Sequence, residues 1–72
     1  MQIVGSAYRH QVDDADMLHA VKHHLVVWQF DGYRMYCGPA LDGSLLEVAI
    51  NDREQIFHSM VCRPQFYPTG KR

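Results

Sequence analysis

Two Asp-Gly dipeptides, Asp31-Gly32 and Asp42-Gly43, punctuate a stretch of alternating residues and constrain the fold more than any other feature. The segment LVVWQF, then Asp31-Gly32, then YRMYCG reads as a hairpin closed by a two-residue turn, because Asp-Gly tolerates the positive φ that tight hairpins require. Phe30 then faces Tyr33, Trp28 faces Met35 and Val26 faces Cys37, which makes one apolar face. Leu25, Val27, Gln29, Arg34 and Tyr36 point the other way. A two-residue turn at Asp42-Gly43 sets Ala40 beside Leu45, Gly38 beside Glu47 and Cys37 beside Val48. A third turn over Asn51 to Glu54 pairs Ile50 with Gln55, Val48 with Phe57 and Glu47 with His58. The expected sheet is a four-stranded antiparallel meander. Leu46, Val48, Ile50 and Phe57 extend its apolar face, and Arg34, Tyr36, Glu47 and His58 share the opposite one, with Arg63 and Tyr67 following directly. A slip of one residue would exchange every side chain between faces, so this reading stands or falls on the turns.

Upstream of the strands the period changes. Asp13 is placed to cap a helix, Asp14 and Asp16 suit the positive end of its dipole, and Met17, Leu18, Val21 and Leu25 recur at helical spacing. The spacing predicts a helix over residues 14 to 24, with His23 and His24 at the C-terminal end, where positive charge is favoured. Residues 1 to 10 read equally as a brief strand or a helical turn, and Pro64, Pro68 and Gly70 predict an irregular C-terminal run. The expected class is α+β: an N-terminal helix, or helices, packed on the apolar face of the four-stranded antiparallel sheet.

A chain of 72 residues, 47% hydrophobic and 21% charged, is one compact domain over residues 1–72. A chain this short buries only about 60% of its unfolded surface, so a partner or oligomer adds usefully to its stability. The longest apolar run, Leu25 to Trp28, falls far short of a membrane span, and MQIVGSAYRH lacks a secretory apolar segment, so a cytoplasmic location is expected. Cys37 and Cys62 form no C-x-x-C pair and read as free thiols packed in a core. A net charge of −1 argues against a strongly cationic nucleic-acid binder, although Arg63, Lys71 and Arg72 cluster near the C-terminus.

The candidate chemistry follows from the pairing. A carboxylate across from an imidazole orients it, and an imidazole near neutrality is the natural general acid or base; this marks Glu47 and His58. A guanidinium nearby, Arg63, holds a phosphate or stabilises the extra charge of a phosphoryl-transfer transition state. Tyr36 and Tyr67 can stack on a base, Arg34 lies on the same expected face, and Arg9 and His10 precede the helix and reach the sheet from the side or stay solvated. The set has the makings of a metal-free ribonuclease site. Taken separately, Glu47 and His58 are also an ordinary cross-strand charge pair. His19 and His23 have the i, i+4 spacing of metal ligands and His24 adjoins them, but no H-E-x-x-H pattern or third ligand completes a site. No Gly-rich phosphate loop, nucleophile elbow or zinc-ribbon spacing is present in the sequence.

The order S-A-x-x-H-x-V (Ser6, Ala7, His10, Val12), then L-L-E-V (Leu45 to Val48), then H-S-M-x-x-R-P-x-x-Y (His58 to Tyr67) resembles small bacterial toxins of the BrnT-like group, within the RelE/ParE fold superfamily. The resemblance runs from Ser6 to Tyr67. It implies the toxin of a type II toxin–antitoxin system, an α/β domain whose sheet face cleaves RNA without metal or cofactor and so inhibits growth. It also implies a cognate antitoxin that forms a hetero-oligomer with the toxin and contacts operator DNA through its own DNA-binding domain, leaving the toxin only indirectly linked to DNA. Carried across, Arg63 matches the C-terminal arginine expected on phosphate, and His58 opens the same motif as the acid or base. Arg9-His10 stands where these toxins commonly have Lys-His followed by Gly-Val, and Gln11 replaces that Gly. On this reading Glu47, His58 and Arg63 are catalytic, and Arg9, His10, Arg34, Tyr36 and Tyr67 bind substrate. The rival expectation is a non-enzymatic interaction module of the same fold, whose polar face binds a partner.

Overall fold

The protein is described by a computed structural model covering residues 1–68. Strand β1 (Gln2–Ile3) leads into a 3-10 turn (Gly5–Tyr8) and helix α1 (Asp14–Lys22). Strands β2 (Val26–Phe30), β3 (Tyr33–Pro39), β4 (Leu45–Asn51) and β5 (Gln55–Val61) follow, and a second 3-10 turn (Pro64–Phe66) comes after them. The sheet has five strands in the order β1-β5-β4-β3-β2. The four long strands pair antiparallel, whereas β1 pairs parallel to β5 through Gln2 with Gln55 and Ile3 with Ile56. Among the described residues, the expected four-stranded antiparallel sheet is therefore corrected to a five-stranded mixed sheet with a single α-helix. The opening segment supplies both the strand and the helical turn between which its sequence did not decide.

Helix α1 begins where its acidic residues predict. Asp13 takes the extended cap conformation, and its carbonyl accepts from Met17 N at 3.1 Å, but its side chain makes no capping hydrogen bond. The helix ends at Lys22, two residues short of the expected boundary, and Met17 and Ala20 are its buried side chains. Leu18 and Leu25, expected on the packed stripe, are exposed.

The first hairpin has the predicted register, Phe30 with Tyr33 and Val26 with Cys37, and Gly32 takes φ 85°. The second does not. Gly38 pairs with Leu46, Cys37 with Glu47 and Tyr36 with Val48, one residue from the expected alignment. The cause is local: Asp42 Oδ1 accepts from Ser44 N at 2.9 Å and from Ser44 Oγ at 2.7 Å, and Gly43 takes φ 89°. With Ala40 N donating to Ser44 O, the loop becomes the three-residue kind that ends on a left-handed glycine. That single residue exchanges the faces of β4 relative to the first hairpin. Helix α1 consequently packs on the face carrying Tyr36, Leu46, Val48 and Ile50, and Trp28, Met35 and Cys37 lie on the opposite face.

The third loop, over residues 52–54, also differs by one residue from the expected pairing of Ile50 with Gln55. Asn51 Oδ1 accepts from Arg53 N and Gln55 N, both at 3.0 Å, and Glu54 takes φ 58°. A bulge then follows between Ala49 and Ile50, across from Phe57, so that Ile50 pairs with Ile56 and Ala49 with His58. The two irregularities together shift the register by two residues, which restores the face parity of Glu47 and His58.

The helix-side core comprises Ala7, Met17, Ala20, Ala40, Leu46, Val48, Ile50 and Ile56, all buried. On the other face the C-terminal turn lies over β2: Trp28 Nε1 donates to Phe66 O at 3.0 Å, and Phe66 meets Phe30 edge-on. Lys71 and Arg72, expected to extend a basic cluster, lie outside the described residues. Among the described residues no helix is long and apolar enough to cross a membrane.

Between the first 3-10 turn and α1, Gln11 takes φ 61°, a conformation that strains any side chain with a Cβ. Gln11→Gly is expected to raise stability by about 0.5–1 kcal/mol, because relief of that strain outweighs the added freedom of the unfolded chain. Thermal unfolding followed by circular dichroism would show a midpoint a few degrees higher.

Candidate functional site

Among the described residues Glu47 is the one charged residue fully buried, and everything around it explains why it remains charged. Its Oε1 accepts from Arg63 N at 2.9 Å and Arg63 Nε at 3.1 Å. Its Oε2 accepts from Arg63 Nη2 at 2.7 Å and His58 Nε2 at 2.8 Å. Burial pushes the Glu47 carboxyl up, but the Arg63 guanidinium, the Arg63 backbone N–H and His58 together hold it below its ordinary value. The same pairing raises Arg63.

The Glu47 contact also fixes the state of His58. A carboxylate only accepts, so Nε2 of His58 carries a proton, and Nδ1 is the nitrogen left for other chemistry. The sequence places Glu47 and His58 directly opposite each other, and the structure corrects this. Glu47 pairs with Met60 and His58 with Ala49, and the contact is diagonal across β4 and β5.

His58 and Arg63 line an open cleft of about 420 Å³, with Arg9 and Ser6 on the same rim. Ser6 Oγ donates to Phe57 O at 2.7 Å, which ties the first 3-10 turn to β5 and brings the following residues to the cleft. The His10 ring stands edge-on to His58, with centroids 5.8 Å apart. The structure thus gathers Glu47, His58, Arg63, Arg9 and His10.

It does not gather Arg34, Tyr36 or Tyr67. Arg34 and Tyr36 fall on the helix side of the sheet, a direct consequence of the one-residue shift at Ser44. There Arg34 Nη2 donates to Glu54 Oε2 at 2.9 Å, its guanidinium lies 5.5 Å from the Tyr36 ring centre, and Tyr36 meets His24 edge-on. Tyr67 follows the Pro64–Phe66 turn with an exposed ring and is not part of the cleft lining. In exchange the cleft has an apolar floor that sequence reasoning missed, formed by Tyr33, Met35, Ala49 and Phe57. The Ser44 that follows Asp42-Gly43 was the available signal, since a serine there can satisfy the aspartate and lengthen the loop.

Cys37 and Cys62 are buried free thiols with their Sγ atoms 3.2 Å apart beside this network. Burial pushes Cys37 up and Cys62 up to about 12, which keeps both protonated and unreactive. The helix histidines are used locally: His19 Nδ1 donates to Pro39 O and His24 Nδ1 to Val21 O, each at 2.8 Å. Among the described residues no three His, Cys, Asp or Glu side chains are grouped to hold a metal ion. Comparison with family models, curated proteins and solved structures finds no match to this chain.

Proposed function

We propose that the protein is a metal-independent endoribonuclease, the toxin of a type II toxin–antitoxin pair, acting in the cytoplasm. The observation that carries this reading is His58, held by a buried carboxylate through one nitrogen at the edge of a cleft flanked by two arginines and a second histidine. His58 Nδ1 takes the proton of a ribose 2′-hydroxyl, and the freed oxygen attacks the adjacent phosphorus. The P–O5′ bond breaks, His10 protonates the departing 5′-oxygen, and a 2′,3′-cyclic phosphate remains. Arg63, nearly half exposed, and Arg9 face the charge that develops on the phosphate oxygens. Arg9 in place of the lysine common among the resembled toxins suits this electrostatic role, because it holds charge and transfers no proton. Glu47 is a positioning residue, fully occupied by Arg63 and His58. The cognate antitoxin covers the cleft, and the toxin meets operator DNA only through it.

The test is cleavage of RNA by purified protein in excess chelator. His58→Ala and His10→Ala are each expected to lower the rate about 10²–10⁴-fold. His10 is exposed, so its loss leaves the fold intact. Expression of the wild type alone should arrest growth with RNA decay, and the variants should relieve it. Intact RNA with folded wild-type protein would instead favour the interaction module. That reading draws on the outer edge of β2, which among the described residues has no neighbouring strand and exposes Val27 and Phe30.

A further inference from the structure

We infer that the apolar floor of the cleft is a seat for one unstacked nucleobase, which makes single-stranded RNA the substrate; this rests on the nuclease reading above. The cleft lining divides in two. Ser6, Arg9, His58 and Arg63 supply polar and cationic groups, and Tyr33, Met35, Ala49 and Phe57 supply aromatic and aliphatic ones. A phosphate beside a flat hydrophobic group is the shape of a nucleotide, and about 420 Å³ lies within the roughly 300–1,000 Å³ usual for small-ligand sites.

Two features of the fold build the flat walls. The bulge in β5 adds Phe57 to the strand, and its ring stands at 86° to that of Tyr33 with centroids 5.6 Å apart, forming a corner. Phe30 stacks on Tyr33 at 16° and fixes the angle of that wall. Ala49 is the second determinant. It lies between Met35 on β3 and His58 on β5, and its short side chain leaves the hollow open. A base inside a duplex is stacked on both sides and cannot enter such a corner, whereas a single-stranded base gains a stacking partner by doing so.

The experiment is direct binding, followed by the ring-proton NMR signals of Tyr33 and Phe57. Wild-type protein is titrated with uridine and adenosine monophosphates and, separately, with ribose 5-phosphate. The nucleotides should bind roughly ten- to a hundredfold more tightly, the increment expected of one base stack. Ala49→Leu fills the hollow and Phe57→Leu removes a flat wall; each should erase that increment while ribose 5-phosphate still binds. Equal binding of all ligands, no binding of any, or an increment that survives both substitutions overturns the seat. Should either variant fail to fold, RNA carrying an abasic residue beside the scissile phosphate decides with wild-type protein: cleavage as fast as normal RNA overturns the proposal. Nucleotide binding without any RNA cleavage would leave the seat standing and remove the nuclease reading alone.

Discussion

Glu47→Ala is expected to lower stability by about 3 kcal/mol, a large fraction of the total for a domain of this size. The carboxylate satisfies four donor nitrogens, three on Arg63 and one on His58, and its removal leaves them facing a cavity at the centre of β4. Breaking a buried ion pair costs about 3–5 kcal/mol, and the lower end applies here because the Arg63 side chain is 45% exposed and can turn to water. Glu47→Gln keeps the shape but turns an amide N–H₂ toward groups that are themselves donors, so it should fall close to the alanine variant. Urea unfolding of the two variants beside wild type measures both.

The same network predicts acid sensitivity with a definite sign. The folded Glu47 carboxyl titrates below its ordinary 4.5, so on acidification the unfolded chain takes up the proton first. The stability that Glu47 contributes is therefore complete above pH 4.5 and is lost as pH falls through its lowered folded value. Urea midpoints from about pH 7 to about pH 3 should fall in that acid window for the wild type, and Glu47→Gln should lack this part of the slope. A parallel slope in both proteins would assign the acid sensitivity to other carboxylates.

How far the sequence reveals such a site depends on where loop chemistry is local. The Asp31-Gly32 turn contains all its own determinants, and the hairpin it closes has the register read from it. At Asp42-Gly43 the determinant lies one residue beyond the dipeptide, in the hydroxyl and N–H of Ser44, and the dipeptide alone assigns Arg34 and Tyr36 to the wrong face. At the third loop, Asn51 binds two backbone N–H groups and Phe57 bulges, and neither has a pattern in composition or periodicity. Glu47 and His58 nonetheless remain together because the two irregularities cancel in parity. The parallel strand β1 was illegible for a different reason: two residues carry no period, and Gln2 and Ile3 are extended only because the edge of β5 is there to receive them.

The face exchange has its own sharp consequence at Gly38. With β4 shifted, α1 settles on β3 so closely that a Cβ at Gly38 would overlap the Ala20 carbonyl oxygen and lie 2.9 Å from both Ala20 C and His24 Cα. All three are backbone atoms, so no side-chain rotation relieves the clash, and the helix must lift from the sheet. Gly38→Ala is expected to destabilise by about 3 kcal/mol, the upper part of the overpacking range, and to lower the thermal midpoint by about 12–24 °C. Gly5→Ala is the matching control, because a Cβ there meets nothing within 4 Å, and it should change stability by less than about 0.5 kcal/mol. The cleft lies on the other face of the sheet from α1. Per folded molecule, Gly38→Ala should therefore cleave RNA at the wild-type rate under conditions that keep it folded, whereas His10→Ala should keep the wild-type midpoint and lose the rate. A Gly38→Ala protein as stable as Gly5→Ala would show that α1 does not approach β3 this closely, and the assignment of Tyr36 to the helix-covered face would fall with it.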